Sequence, residues 1–250
     1  MTAPFNLPSS AFLDSLKALF PASSPITRKS IVLDNPWYIV AAVAYCASNR
    51  PEAVPVVWEY AINDVRSAPL DENLSGDGKD DSELLLARRF REALFKCGLV
   101  CGYPRSINAL RALHAVMPPE LQDKTILRDT TQTLNQLEDK DVALFSTMHG
   151  DNAEHVQSIL DAIHPDLGYL SKAMGYGLIY QNPLSPSTLD SAYTIVAALI
   201  AIDAPQQIIW HLAGARRQAS LEEVRAVRRV AVEVAREAGV RWLNEVPEVV

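Results

Sequence analysis

A chain of 250 residues with 48% hydrophobic and 21% charged residues can bury a substantial core, which excludes an intrinsically disordered protein. A net charge of -7 and the lack of any basic run exclude the electrostatic footprint of a nucleic-acid binder and offer nothing to anionic lipid surfaces. No apolar run approaches the ~20 residues that span a bilayer, so neither nucleic acid nor membrane is expected as a partner.

Residues 1–30 read as an N-terminal arm. Phe12, Leu16, Leu19 and Phe20 recur at helical spacing and predict a short amphipathic helix over Phe12–Phe20. The first 22 residues mix Pro, Ser, Asp and Lys, lack arginine, and do not form the charged-then-apolar pattern of a secretory signal. Pro247-Glu248-Val249-Val250 is not a peroxisomal address, and three cysteines fit a reducing compartment better than a disulfide framework. The cytoplasm is the expected location.

A first helical unit is expected over 31–117. Pro36–Ala47 reads as a helix, Ser48-Asn49-Arg50-Pro51 as a turn, and Val54, Val57, Trp58 and Ala61 as the face of a second helix. Residues 64–81 are acidic and rich in Gly, Ser and Pro, which predicts a surface loop. A long helix follows over Ser82–Cys101, ended by Gly102 and Pro104.

Pro118-Pro119 breaks the chain, and 118–250 forms the expected second unit. Glu120–Asp139, Asp151–Ile163 and Leu167–Tyr180 read as helices, and Leu189–Ile202 as a strongly apolar one. Asp203 and Pro205 suit the start of another helix, whose inward face is Ile208, His211, Leu212 and Ala215. Ser220 and Glu223 form a capping-box pattern for a last helix that stops at Gly239. No strand pattern of convincing length occurs, so the fold class is all-α. Ile39-Val40-Ala41-Ala42 recurs as Ile195-Val196-Ala197-Ala198, with a proline after each copy. This is a degenerate internal repeat of helical hairpins, with Val57 or Trp58 standing where the second copy has His211.

His211-Leu-Ala-Gly-Ala, a short polar turn, Ser220-Leu-Glu-Glu-Val and a helix ending in Ala-Gly-Val resemble the core of the carboxymuconolactone decarboxylase and AhpD-like family over about residues 189–240. The resemblance implies an AhpD-like helical fold built from two units. It also implies a homo-oligomer, a trimer or a dimer, with sites between helices. Some members are decarboxylases that need no cofactor; others are thiol antioxidants. The antioxidant Cys-x-x-Cys positions fall on Ala204 and Gln207, which removes that chemistry here, and the family's glutamate position falls on Ala192.

The resemblance therefore implies a cofactor-free lyase acting on a small lactone or conjugated acid. His211 is the proton-transfer candidate, because a neutral imidazole exchanges protons near cytoplasmic pH. Tyr193 and Tyr176 are the further catalytic candidates, and Tyr180, Trp210 and Asp190 the substrate-binding ones. The alternative for His211 is a core histidine bonded to a carbonyl, and for the tyrosines an aromatic packing seam. The corresponding whole-protein alternatives are a non-catalytic scaffold or small-molecule binder and, last in order, a thiol antioxidant using Cys97 and Cys101.

Other clusters carry weaker chemistry. His149, Asp151 and His155 match no metal signature, so no metal is expected. Cys97 and Cys101 lie near a helix C-terminus, where the dipole disfavours a thiolate, and read as structural. Arg88, Arg89 and Arg91 read as a solvated surface.

Overall fold

The computed structural model describes residues 5–21, 26–70, 81–181 and 188–250, with the backbone alone at 139–143. Among these residues the chain is helices and turns, with no strand. The protein is all-α.

Two helices form the centre. α3 (Trp37–Ala47) is buried at every residue, and α10 (Leu189–Ala201) at every residue from Ser191 on. A helix that is apolar all round must be enclosed all round. α3 and α10 pack on each other, and α5 (Ser82–Cys101) and α12 (Leu221–Glu237) each pack on both. No single helix among the described residues is long and apolar enough to cross a membrane. α2 (Arg28–Asp34) and α3 reach that composition only as a pair bent by 50°, and α3 is enclosed by the bundle.

The hairpins α3–α4 (Val54–Ser67) and α10–α11 (Pro205–Arg216) turn in the same way. The Ser48, Asn49 and Arg50 amides donate to the carbonyls of Ala44, Cys46 and Tyr45. The amides of Ile202, Asp203 and Ala204 donate likewise to Ala198, Ile200 and Leu199. Asn49 and Asp203 both sit at φ 59°, in the left-handed region that Asn and Asp tolerate better than other residues with a Cβ. Pro51 and Pro205 then open the next helical turn. Matching the turns pairs Val57 with His211. It also moves the Ile-Val-Ala-Ala pairing by two residues, so that Ile39 falls on Tyr193 and not on Ile195.

Several boundaries differ from the sequence reading. In the arm, Ser9 caps α1 (Ser10–Lys17), which starts and stops before the expected span. α4 continues through Ser67, so the acidic segment begins later than 64; its residues 71–80 lie outside the described residues. Glu120–Asp139 is not one helix. After a short 3-10 turn at Pro119–Leu121 the chain is irregular up to Thr133, whose capping box with Gln136 opens α7 (Leu134–His149). The irregular stretch is tied across the bundle instead. Arg128 pairs with Glu92 of α5 and donates to the carbonyls of Leu178 and Ile179 at 3.0 and 2.8 Å. α6 (Tyr103–Val116) is a helix the sequence reading did not assign, with Pro104 in its first turn, and α8 (Ala153–Ile163) falls within its expected span. The expected helix over Leu167–Tyr180 is split: α9 (Pro165–Leu170) runs into a π-helical segment, Ser171–Ile179.

Candidate functional site

Two glycines let α7 approach its neighbours at backbone distance. A Cβ on Gly177 of the π-helix would lie 2.2 Å from the Leu137 carbonyl oxygen, and one on Gly214 of α11 would lie 2.4 Å from that of Met148. Arg217 Nη1 donates to the same Met148 carbonyl at 2.9 Å, satisfying a group at the C-terminal end of α7. Gly150, at φ 55°, ends the helix there. This docking carries His149, the last residue of α7, in between Tyr176 and His211.

His149 Nε2 and the Tyr176 hydroxyl share a hydrogen bond of 3.0 Å. The His149 ring lies 5.6 Å from that of His211, centre to centre, and 4.4 Å from that of Phe145 one turn earlier on α7. Tyr176 and Tyr180 stack edge to face at 5.4 Å. π-Helical turns are rare and concentrate at functional sites, and Tyr176 sits within one.

These rings line a pocket of about 660 Å³ between α5, α7, α8, the π-helix, α10 and α11. Ile195, Leu199, Met174 and Val156 contribute apolar wall, and Trp210 and Gln207 stand on the α11 side. None of the lining side chains carries a formal charge at neutral pH if both histidines are neutral, and their surroundings keep them so. Burial first, and then the Arg217 charge, lowers the His149 pKa from 6.5 to about 4. Burial first, and then His149, lowers that of His211 to about 3. His211 Nδ1 is enclosed without a hydrogen-bond partner. An unpaired lone pair costs less than an unpaired N–H, so the favoured tautomer carries its proton on Nε2.

His211, Tyr176, Tyr180 and Trp210, all expected at the site, are brought together. Burial pushes the Tyr180 phenol well above its usual range, so it is a hydrogen-bonding group there and not an anion. Tyr193 and Asp190 do not join them. α10 faces the pocket with Ile195 and Leu199, and Tyr193 lies about 200° around the helix from Ile195, fully buried in the core. Asp190 is held by Arg89 through two bonds of 2.7 and 2.6 Å. The arginine cluster is likewise engaged, since Arg88 and Arg91 both reach Asp123.

His149 stands out in sequence only beside Asp151 and His155, which the structure leaves exposed on the surface. The signal that could have found it is Phe145, four residues earlier on the same helix face. The cysteines also differ from expectation. Cys46 joins Cys97 and Cys101, and hydrogen bonds from Cys46 and then Cys97, followed by the Arg105 charge, lower the pKa of Cys101 despite its place at a helix C-terminus.

No family model and no solved structure matches the chain. Two curated proteins are similar to it along most of their length. Peroxisomal protein 2 of Schizosaccharomyces pombe is 26% identical over 210 residues, covering 84% of this chain and 90% of that protein. Peroxisomal protein 2 of Saccharomyces cerevisiae is 24% identical over 261 aligned positions, covering 86% of this chain and 92% of that protein.

Proposed function

We propose that the pocket binds a small, largely apolar carbonyl compound, such as a lactone or a conjugated acid, and moves a proton on it by acid/base chemistry. The observation that carries this reading is the grouping of two neutral imidazoles and a phenol in an otherwise apolar pocket, with His149 bonded to Tyr176 and facing His211. The resemblance of residues 189–240 to carboxymuconolactone decarboxylases supports the same class of chemistry.

The roles follow from the protonation states. His211 Nε2–H donates to the substrate oxygen on which negative charge builds, as a neutral electrophile fixed in advance. The His149–Tyr176 pair delivers or removes the proton at carbon. A carboxylate placed against such walls meets no cation, whereas the delocalised transition state of CO2 loss spreads its charge; the difference favours decarboxylation. A second reading, a binding protein without turnover, is favoured by the Arg89–Asp190 pair, which leaves the pocket without a carboxylate.

Incubating the protein in D2O with a panel of conjugated acids and enolisable lactones tests this, reading CO2 release and deuterium at carbon by mass spectrometry. Turnover that falls about 10²–10⁴-fold in His211→Ala supports the enzyme reading. Saturable binding with no turnover of any compound supports the binding protein.

Leu99, Tyr103, Leu167 and Leu170 are exposed and line the same pocket. Such an apolar rim suits closure by a second copy of the chain, in keeping with the oligomer that the resemblance implies. Light scattering on the wild type and on Leu170→Asp distinguishes an oligomer from a monomer. The names of the two relatives favour a peroxisomal setting over the cytoplasm, which co-localisation of the tagged full chain with a peroxisomal marker tests.

A further inference from the structure

We propose that Cys46, Cys97 and Cys101 form a three-thiolate site for a soft monovalent metal ion, copper(I). Cys46 lies near the end of α3 and the other two on the last turns of α5, so the site joins the central helix α3 to a helix packed on it. The three Sγ atoms all lie within 4.8 Å of one another, and those of Cys97 and Cys101 are 3.3 Å apart. Thiolates bound ~2.3 Å from one ion in a trigonal plane stand ~4 Å from each other, so closing the site takes rotamer adjustments and no helix movement.

The donor set selects the ion. Thiolates favour copper(I) or zinc. Zinc takes a fourth ligand in structural sites, and among the described residues no histidine or carboxylate completes this group. Three sulfurs alone match a three-coordinate monovalent ion. Arg105, bonded to the Ala47 carbonyl, stands within electrostatic reach of Cys46 and Cys101 and offsets the negative charge of the thiolates. Each thiol that binds releases its proton to solvent, and neither sulfur nor copper changes oxidation state.

A Cys97–Cys101 disulfide is disfavoured by the helix that carries both. Residues four apart on an α-helix hold their Cβ atoms ~5–6 Å apart, whereas a disulfide needs ~3.8 Å. Entry is open from one side. Cys46 and Cys97 are buried, but Cys101 is half-exposed at the end of α5, beside Leu99, Val100 and Tyr103 of the pocket rim.

The test is an anaerobic titration of the reduced full-length protein with copper(I) buffered by bathocuproine disulfonate. The expected result is one copper retained per chain, a sulfur-only three-coordinate X-ray absorption spectrum, and loss of retention in Cys101→Ser. That variant sits at a half-exposed position and should fold. His211→Ala should retain copper, which separates this site from the pocket chemistry. The proposal is overturned by failure to hold copper against the competitor, by unchanged retention in Cys101→Ser, or by preferential binding of zinc with a non-sulfur ligand. Rapid loss of two thiols to added hydroperoxide, with a mapped Cys97–Cys101 disulfide, would also overturn it in favour of a redox pair.

Discussion

His149 and Tyr176 meet across the interface of α7 with the π-helix, sharing a 3.0 Å hydrogen bond inside an apolar pocket. Gly177, next to Tyr176 in the chain, lets the π-helix lie directly on the α7 backbone at Leu137, at the other end of the helix that carries His149.

Removing the phenol hydroxyl tests the pair. Tyr176→Phe keeps the aromatic contacts with Phe145 and Tyr180 and deletes the bond to His149. Stability should fall by about 1 kcal/mol, read by urea unfolding. Turnover should fall about 10²-fold or more, with ligand affinity changing far less.

Stability should depend on pH through the two histidines. Both have folded-state pKa values lowered from 6.5, to about 4 and about 3. As pH falls below 6.5, the unfolded chain takes up protons that the folded chain excludes. The contribution is therefore complete above 6.5 and is lost progressively down to about pH 4, then pH 3, at up to ~1.4 kcal/mol per pH unit for each group. Urea unfolding of His149→Gln and His211→Gln should each show a shallower loss between pH 6.5 and 4 than the wild type.

Gly214→Ala should damage the pocket from outside it. The added Cβ would press on the Met148 carbonyl, which is backbone and cannot swing away. A cost of about 1–3 kcal/mol is expected by thermal or urea unfolding, together with weaker ligand binding as α7 is pushed off α11.

Asp190→Ala separates structure from chemistry. The substitution leaves Arg89, whose side chain is only 9% exposed, as a buried unpaired charge. About 3–5 kcal/mol of stability should be lost, seen in the urea midpoint. At a temperature where the variant is folded, turnover should stay near the wild-type level. A large fall in turnover with an intact fold would return Asp190 to the site.

Much of this architecture is written in local chemistry. The Ser220–Glu223 capping box, Pro205 and the apolar run 195–201 of α10 each specify their element without reference to the rest of the chain. His211 is legible because its inward position follows from helical spacing with Ile208, Leu212 and Ala215. His149 is not, because only tertiary docking through Gly177 and Gly214 turns it toward His211. The repeat is legible but its register is not. Alanines and β-branched residues in a wholly buried helix are interchangeable, whereas the left-handed residues Asn49 and Asp203 fix the alignment. The stretch from Glu120 to Thr133 reads as helical because its polarity matches a surface helix; Arg128, tied to Glu92 and to two π-helix carbonyls, shows the contacts that won. Asp190 and Tyr193 are near the motif along the chain, but helix rotation carries both away from the pocket.

The most direct measurement is ¹⁵N NMR of the histidine side chains in the resting protein, followed from pH 8 to pH 4.5 and repeated with a small conjugated ketone in the pocket. His149 and His211 should stay neutral down to pH 5, His211 as the Nε2–H tautomer, and the His211 resonances should shift when the ketone enters. Protonation of His211 near pH 6.5, or resonances indifferent to every pocket ligand, would contradict a preset neutral imidazole as the centre of the site.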